Sequence, residues 1–260
     1  MTVERVLSMA LPTRLRQVCL VAAKIEPAAS QIAEVMGLNI CYRDPNVGRF
    51  GLENVLIPVD SVLLEVVAPF KEGTAAGRFV EKTQGRGGYM AILSCDDPRE
   101  RGRNAEAMGV RTAHLIDRAP YLGVQLHPRD CRGAFIEFNH TAGSDNIFGP
   151  YPPAGPEWHK AVRTDSTQAL TAITMESPDP ASLAQHWSRI IGSPVIDGTV
   201  PEVRLPNAAI RFVKGATDLM SGLTFKVSNP SSILAKAKAK QLPVSGSTFK
   251  LCGVDFELTT

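Results

Sequence analysis

The sequence has no apolar run near the ~18–20 residues a membrane-spanning helix requires, which excludes that class of protein. It also lacks any block of like charge: 28 Lys and Arg stand against 26 Asp and Glu, for a net charge of +2. A chain so balanced carries no electrostatic footprint for nucleic acid or an anionic membrane. No Gly-rich loop follows a strand-like run, so a nucleotide-binding fingerprint is missing. The five cysteines (Cys19, Cys41, Cys95, Cys131 and Cys252) are odd in number and form no CxxC pair, which argues for reduced thiols and a cytoplasmic protein. In residues 1–12, Glu4 and Arg5 interrupt a short apolar stretch. That segment reads as a flexible leader rather than a signal peptide. A hydrophobic content of 44% with 21% charged residues excludes disorder as the main state.

What the chain does have is internal repetition. Gln17–Ala23 is an apolar strand-like run, and Pro27–Gly37 is a helical pattern with Ile32, Val35 and Met36 on one face. Strand-like runs follow at Asn39–Arg43, Val55–Val59 and Val62–Val67. The β-α-β-β-β order recurs from Gly88, with a helix over Pro98–Gly109 and strands at Arg111–Ile116, Leu122–Leu126 and Ala134–Phe138. It recurs again from Ala169, and in shortened form from Gly222, with a helix over Ser231–Gln241 and a last strand Val254–Leu258. Pro opens and Gly closes the first three helices, as helix start and stop signals should. Residues 149–164 begin with a Pro- and Gly-rich stretch that lacks periodicity and reads as a linker. The expectation is an α+β protein with units paired into domains over residues 13–148 and 165–260.

Glu65 and Glu137 are lone carboxylates in the middle of apolar closing strands, and Glu257 repeats the position in the fourth unit. Burying an unpaired carboxylate is costly. Either the strand has a wet face or the glutamates point into a concave pocket. Leu63 and Val67, at two-residue spacing from Glu65, are apolar, which favours the pocket. Gln17 shares a strand face with Cys19 and Val21. His127 stands before Pro128 in a turn, where a structural hydrogen bond competes with a role in binding. Trp187 and Ile190 have the spacing of core residues.

Paired β-α-β-β-β units with a Glu on each closing strand resemble the vicinal oxygen chelate superfamily, the glyoxalase-like fold. Residues 13–142 resemble methylmalonyl-CoA epimerases more narrowly, through Leu64–Pro69, Ala76-Gly77, Gly87-Gly88 and the HPxDxxGxxxE run His127–Glu137. The resemblance implies two curved, cup-shaped mixed sheets and a divalent metal held by His, Glu or Gln, His and Glu. Carried over, the first, second and fourth positions fall on Gln17, Glu65 and Glu137, and the third on Tyr89 or Met90. No His remains in that set. An all-oxygen set suits Mg²⁺ or Mn²⁺ better than Zn²⁺, and a metal-free cup is the alternative. Glu65 and Glu137 then become the catalytic pair, with Tyr89, Met90, Cys19 and His127 as substrate-binding residues.

In the second pair the corresponding positions are emptied except for Glu257, which leaves that domain as a lid, packing partner or dimerisation surface. The resemblance implies epimerase- or isomerase-type proton transfer on a small oxygen-rich metabolite through a stabilised enolate. A non-catalytic small-molecule binding protein is the second reading, and an extradiol-dioxygenase-like enzyme the third. The expected partners are a small molecule and, as a homodimer, a second copy of the chain.

Overall fold

The structure, a computed structural model, describes residues 12–260. The leader expected over residues 1–12 falls outside them but for its last residue. The first half of the chain forms β1 (Arg14–Val21), α1 (Ile25–Met36), β2 (Leu52–Val59), β3 (Val62–Pro69), α2 (Ala75–Thr83), β4 (Met90–Ser94), α3 (Pro98–Ala107), β5 (Thr112–Arg118), β6 (Tyr121–Leu126), α4 (Pro128–Cys131) and β7 (Phe135–Thr141). The second half forms β8 (Thr167–Ser177), α5 (Pro180–Ile191), β9 (Val195–Ile196), β10 (Glu202–Arg204), β11 (Ala209–Lys214), β12 (Leu219–Val227), α6 (Pro230–Ala239), β13 (Val244–Ser245), β14 (Thr248–Leu251) and β15 (Val254–Thr259).

The strands make two mixed sheets, ordered β2-β3-β1-β4-β7-β6-β5 and β13-β14-β15-β12-β8-β11-β10-β9. In each sheet the opening strands of two units pair antiparallel at the centre, β1 with β4 and β8 with β12. Each opening strand also pairs parallel with the closing strand of its own unit. A local pseudo-twofold therefore relates the units of each sheet.

The helices start alike for one local reason. Asp97, Asp179 and Asn229 precede Pro98, Pro180 and Pro230, and each accepts a hydrogen bond from the backbone N–H three residues on, at 2.9, 3.0 and 3.0 Å. The side chain satisfies one of the helix's orphan donors, while Pro has no N–H to leave unpaired. Gly37 ends α1 at φ 70°, a left-handed conformation that glycine adopts without Cβ strain.

Helices α1, α3, α5 and α6 pack into the core on one face of their sheets, and α2 lies on the opposite face of the first sheet. Val18, Leu20, Leu64 and Val66 pack with Ile32, Val35 and Met36 of α1. The same apolar cluster continues through Trp187, Phe212, Phe225 and Phe256, so the two sheets share one core across their helices. Trp187 and Ile190 belong to it, and the Trp187 indole N–H donates to the Cys131 carbonyl at 2.8 Å.

Three expectations need correction. Residues 39–43 are not a strand: only Tyr42 bridges to Leu56, and the chain instead turns through a 3-10 segment at Pro45–Phe50. The Asp44 side chain starts that turn by accepting from the Asn46 N–H at 2.9 Å. The fourth unit is not shortened, because β13 and β14 complete it. An additional helix, α2, stands between β3 and β4, capped by the Thr74 hydroxyl on the Gly77 N–H at 2.9 Å. All five cysteines are free, although Cys252 lies in the turn between β14 and β15 rather than in a strand. Among the described residues, no helix is long and apolar enough to cross a membrane.

Candidate functional site

The concave face of the first sheet opens into a cavity of about 1460 Å³. Gln17, Cys19, Glu65, Tyr89, Met90, His127 and Glu137 all line it, so the structure brings every site residue named from sequence to one place. Strand alternation is the reason. Cys19 pairs with Glu65 across β1 and β3, and Ile92 with Glu137 across β4 and β7. Gln17 faces Ile92, and Cys19 faces Met90, across β1 and β4. The pseudo-twofold thus exchanges Gln17 with Met90 and Glu65 with Glu137. The position left open between Tyr89 and Met90 is Met90. Tyr89 packs instead with Phe79 and Phe135, ring centroids 5.1 and 5.0 Å away.

Both glutamates are buried, Glu65 at 8% and Glu137 at 2% exposure. Every carboxylate oxygen accepts a hydrogen bond. Asn54 Nδ2 donates to Glu65 Oε1 at 2.6 Å, and Gln17 Nε2 to Glu65 Oε2 at 2.7 Å. The Tyr121 hydroxyl donates to Glu137 Oε1, and Gln125 Nε2 donates to Glu137 Oε2 at 2.7 Å. Gln17 is fixed from its other end, where the Tyr151 hydroxyl donates to its Oε1 at 2.9 Å. The Tyr121 and Tyr151 rings meet edge-on at 6.0 Å. Two hydrogen-bonded groups therefore lie side by side on the floor of the cup, one of Glu65, Asn54, Gln17 and Tyr151, the other of Glu137, Tyr121 and Gln125.

Burial raises the pKa of both Glu65 and Glu137 above the usual carboxylate value, and the charge of Glu65 raises that of Glu137 further. The hydrogen bonds oppose this rise without cancelling it. Burial also keeps the Cys19 thiol protonated, aided by Glu65 beside it.

A bulge extends the site. The β1–β4 register slips between Leu15 and Gln17, and Arg16 is the extra residue. Its guanidinium lies over Tyr151 and Trp158, 4.4 and 4.8 Å from the ring centroids. Nη1 donates to the carbonyls of Ser61 and Ile147, both at 2.9 Å. Arg16 is 1% exposed, and burial lowers its pKa to about 10. This clamp holds the Pro-rich segment after β7 against the cup, with Tyr151, Ala154 and Trp158 buried.

His127 plays a structural part. It precedes α4 and its Nδ1 accepts from the Arg129 N–H at 3.3 Å, with the ring edge on the cavity wall. Sequence reasoning passed over Asn54, Tyr121, Gln125 and Tyr151. Gln125 did leave a signal: it is polar in an apolar strand and lies opposite Glu137 in register. Tyr151 left none, since its contact depends on a segment without periodicity.

No family model matches the chain, and no curated protein matches it in sequence. Its fold does match solved structures. A hypothetical protein from Staphylococcus aureus aligns with a TM-score of 0.66 at 11% identity, over 96% of this chain and 99% of that one. The Mn(II)-bound glyoxalase from Novosphingobium aromaticivorans aligns at 0.61 and 13%, over 96% and 82%. A mutant of 4-hydroxymandelate synthase from Streptomyces coelicolor aligns at 0.61 and 13%, over 89% and 76%. Methylmalonyl-CoA epimerase covers 51% of this chain at a TM-score of 0.44, a likeness too loose to carry the narrower resemblance. With two mixed sheets of paired units, three of them β-α-β-β-β and the first one strand short, and these matches across nearly its whole length, the chain has the vicinal oxygen chelate fold in a two-sheet form.

Proposed function

We propose that the first cup binds a small oxygen-rich metabolite and moves a proton on it through the Glu65 and Glu137 carboxyls, without a metal. The observation that carries this reading is the pair itself: two buried carboxyls in one cavity, both with raised pKa. Such groups hold and release a proton closer to neutrality than ordinary carboxylates.

The donor set does not fit a divalent metal. The four carboxylate oxygens already accept from Asn54, Gln17, Tyr121 and Gln125, and Gln17 Oε1 accepts from Tyr151. The remaining symmetric position is Met90, a thioether unsuited to a hard cation. Amide and phenol protons thus surround the carboxylates where a cation would otherwise stand.

In the proton transfer we envisage, ionised Glu137 takes a proton from carbon next to a carbonyl, and the electron pair moves to the carbonyl oxygen. Each amide nitrogen has two protons. Gln125 lines the cavity and is the least buried of the residues bonded to the two carboxyls, so its second N–H is the donor offered to that oxygen. Protonation of the same carbon on its opposite face by the Glu65 carboxyl, which holds a proton at its raised pKa, completes an epimerisation, and the proton on Glu137 passes to solvent.

One observation favours the second reading, a binding protein without chemistry: the same four hydrogen bonds that compete with a metal also hold both carboxylates in place. Deuterium exchange separates the two. A panel of small 2-substituted carboxylic acids is incubated with the protein in D₂O and followed by proton NMR. Exchange at the 2-position that Glu137→Gln abolishes supports proton transfer. Acids that raise the melting temperature but never exchange leave the binding protein as the function.

A further inference from the structure

The charge of the chain is concentrated around the cup. Seven Arg and Lys side chains line the cavity against four carboxylates, two of them the buried Glu65 and Glu137, although the whole chain carries only +2. Some of these cations are already engaged. Arg86 pairs with Glu176 at 3.2 Å, Arg132 pairs with Asp218 at 2.8 Å, and Arg118 donates to the Asn46 side chain at 2.8 Å. Among the described residues, Arg49, Arg78, Lys82 and Arg129 have no carboxylate within 4.0 Å; Arg49 lies over the Phe50 ring, and Arg78 Nη1 donates only to the Gly73 carbonyl, at 2.5 Å.

Arg78 and Lys82 both sit on α2, four residues apart, so they rise from one face of that helix. Like charges at this spacing destabilise a helix, although Lys82 in the last turn meets the favourable end of the helix dipole. The other face of α2 is anchored: Ala76 is buried, and Phe79 and Val80 pack against the cup's apolar cluster with Tyr89, Met90 and Phe135. Helix α2 has no counterpart in the second sheet. Only Gly215–Asp218 separate β11 from β12, whereas residues 70–89 separate β3 from β4. The insertion thus brings two unneutralised cations and an aromatic surface to the same cavity as the carboxyl floor.

We propose that the ligand of the first cup is an amphipathic anion. Its phosphate or carboxylate group is held by Arg78 and Lys82, and its apolar body lies on Phe79, Tyr89 and Phe135. This inference shares the cavity with the proton-transfer reading but does not need the chemistry. Arg supplies a planar fork and Lys a mobile ammonium, a combination suited to either anionic group. The aromatic trio supplies area that a bare inorganic anion cannot use.

Titration calorimetry at low ionic strength with phenyl phosphate, phenylacetate, inorganic phosphate and acetate tests the proposal. One of the two aryl anions should bind at least about tenfold more tightly than its bare counterpart, and which one does so identifies the anionic group. The exposed double substitution Arg78→Gln with Lys82→Gln should weaken that binding about tenfold or more, and added salt should weaken it in the wild type. Lys250→Gln, on the far sheet, should leave it unchanged. Absence of aryl-anion binding, or binding that the double substitution does not affect, overturns the proposal. Binding that survives in Glu137→Gln, with proton exchange absent, leaves the anion site standing while the proton-transfer reading falls.

Discussion

At the four register positions that face across the centre of the first sheet stand Gln17, Glu65, Met90 and Glu137. At the matching positions of the second sheet stand Ala172, Arg211, Gly222 and Glu257. The scaffolds are alike, and the chemistry is not. In the second sheet an arginine replaces one glutamate, and Arg211 lies 3.9 Å from Glu257 with both side chains about 40% exposed (40% and 43%). Opposite charges meet there in water. In the first sheet two like charges are kept out of water, close enough for one to raise the pKa of the other. Nothing in the fold demands that arrangement, since the second sheet reaches the same architecture without it. A buried like-charge pair that the scaffold does not require is the physical basis of the site we propose in the first cup.

The comparison can be broken most directly at Arg16. The second sheet has no arginine buried under a covering segment of this kind, whereas Arg16 joins β1 to the carbonyls of Ser61 and Ile147 and to two aromatic rings. Arg16→Ala removes the buried side chain and leaves both carbonyls unpaired. The expected loss is about 3 kcal/mol or more, read by urea denaturation. Arg211→Ala should cost less than about 1 kcal/mol in the same assay. Similar losses for the two would mean that the covering segment contributes little to holding the first cup.

A metal offers the next largest difference. Wild-type protein should show no thermal stabilisation by Mn²⁺ or Zn²⁺, because its carboxylate oxygens already hold protein donors. Gln17→His combined with Met90→His places imidazoles at the two positions related by the pseudo-twofold and removes one donor from Glu65. At metal concentrations 100-fold above its dissociation constant, that variant should gain about 2.7 kcal/mol. Stabilisation of the wild type by either ion would show that the donor network yields to a cation after all.

These expectations also show what the sequence could reveal. Repetition and alternation pointed Glu65 and Glu137 into a pocket, because a two-residue period determines which side chains share a face; Gln17 joined them only through the resemblance to the vicinal oxygen chelate superfamily. The choice between Tyr89 and Met90 stayed open because it depends on strand register, which hydrophobic pattern alone does not set. The 3-10 turn at Pro45–Phe50 displaced an expected strand because the local Asp44–Asn46 hydrogen bond outcompeted ladder pairing. Tyr151 was illegible for a different reason: it reaches Gln17 from 134 residues away, through a segment whose packing is governed by Arg16 rather than by any periodicity. Arg16 is buried because the bulge turns it inward, and a bulge leaves no mark in a two-residue period.

The pH dependence of stability sharpens the contrast between the cups. Glu65 and Glu137 have folded pKa values raised above the usual carboxylate value, so the folded state retains protons that the unfolded state releases. Stability should therefore be greatest below about pH 4.5 as far as these groups are concerned, and should fall as pH rises through their folded values. Each unit of difference corresponds to about 1.4 kcal/mol per group. Glu137→Gln removes one of the titrating groups, and the amide of Gln125 can turn to offer its oxygen to the new N–H. The variant should match the wild type at low pH and exceed its stability at pH 8. A wild-type stability that rises over this range would contradict the buried, strained pair.

The smallest effect is expected at Glu257, and its smallness is informative. Glu257 accepts from the Thr224 hydroxyl at 2.7 Å and stands near Arg211, yet its side chain remains 43% exposed. Water screens both the ion pair and any desolvation penalty there, and exposed pairs of this kind contribute about 0–1 kcal/mol. Glu257→Gln keeps an oxygen for Thr224 and removes only the charge. Its stability should therefore stay within about 0.5 kcal/mol of the wild type at pH 8, where the related substitution Glu137→Gln should stabilise. The two substitutions are chemically identical and occupy matching register positions on closing strands, so a difference between them isolates environment from residue type. Equal responses would mean that burial does not distinguish the two cups, and the argument for a site in the first would lose its physical basis.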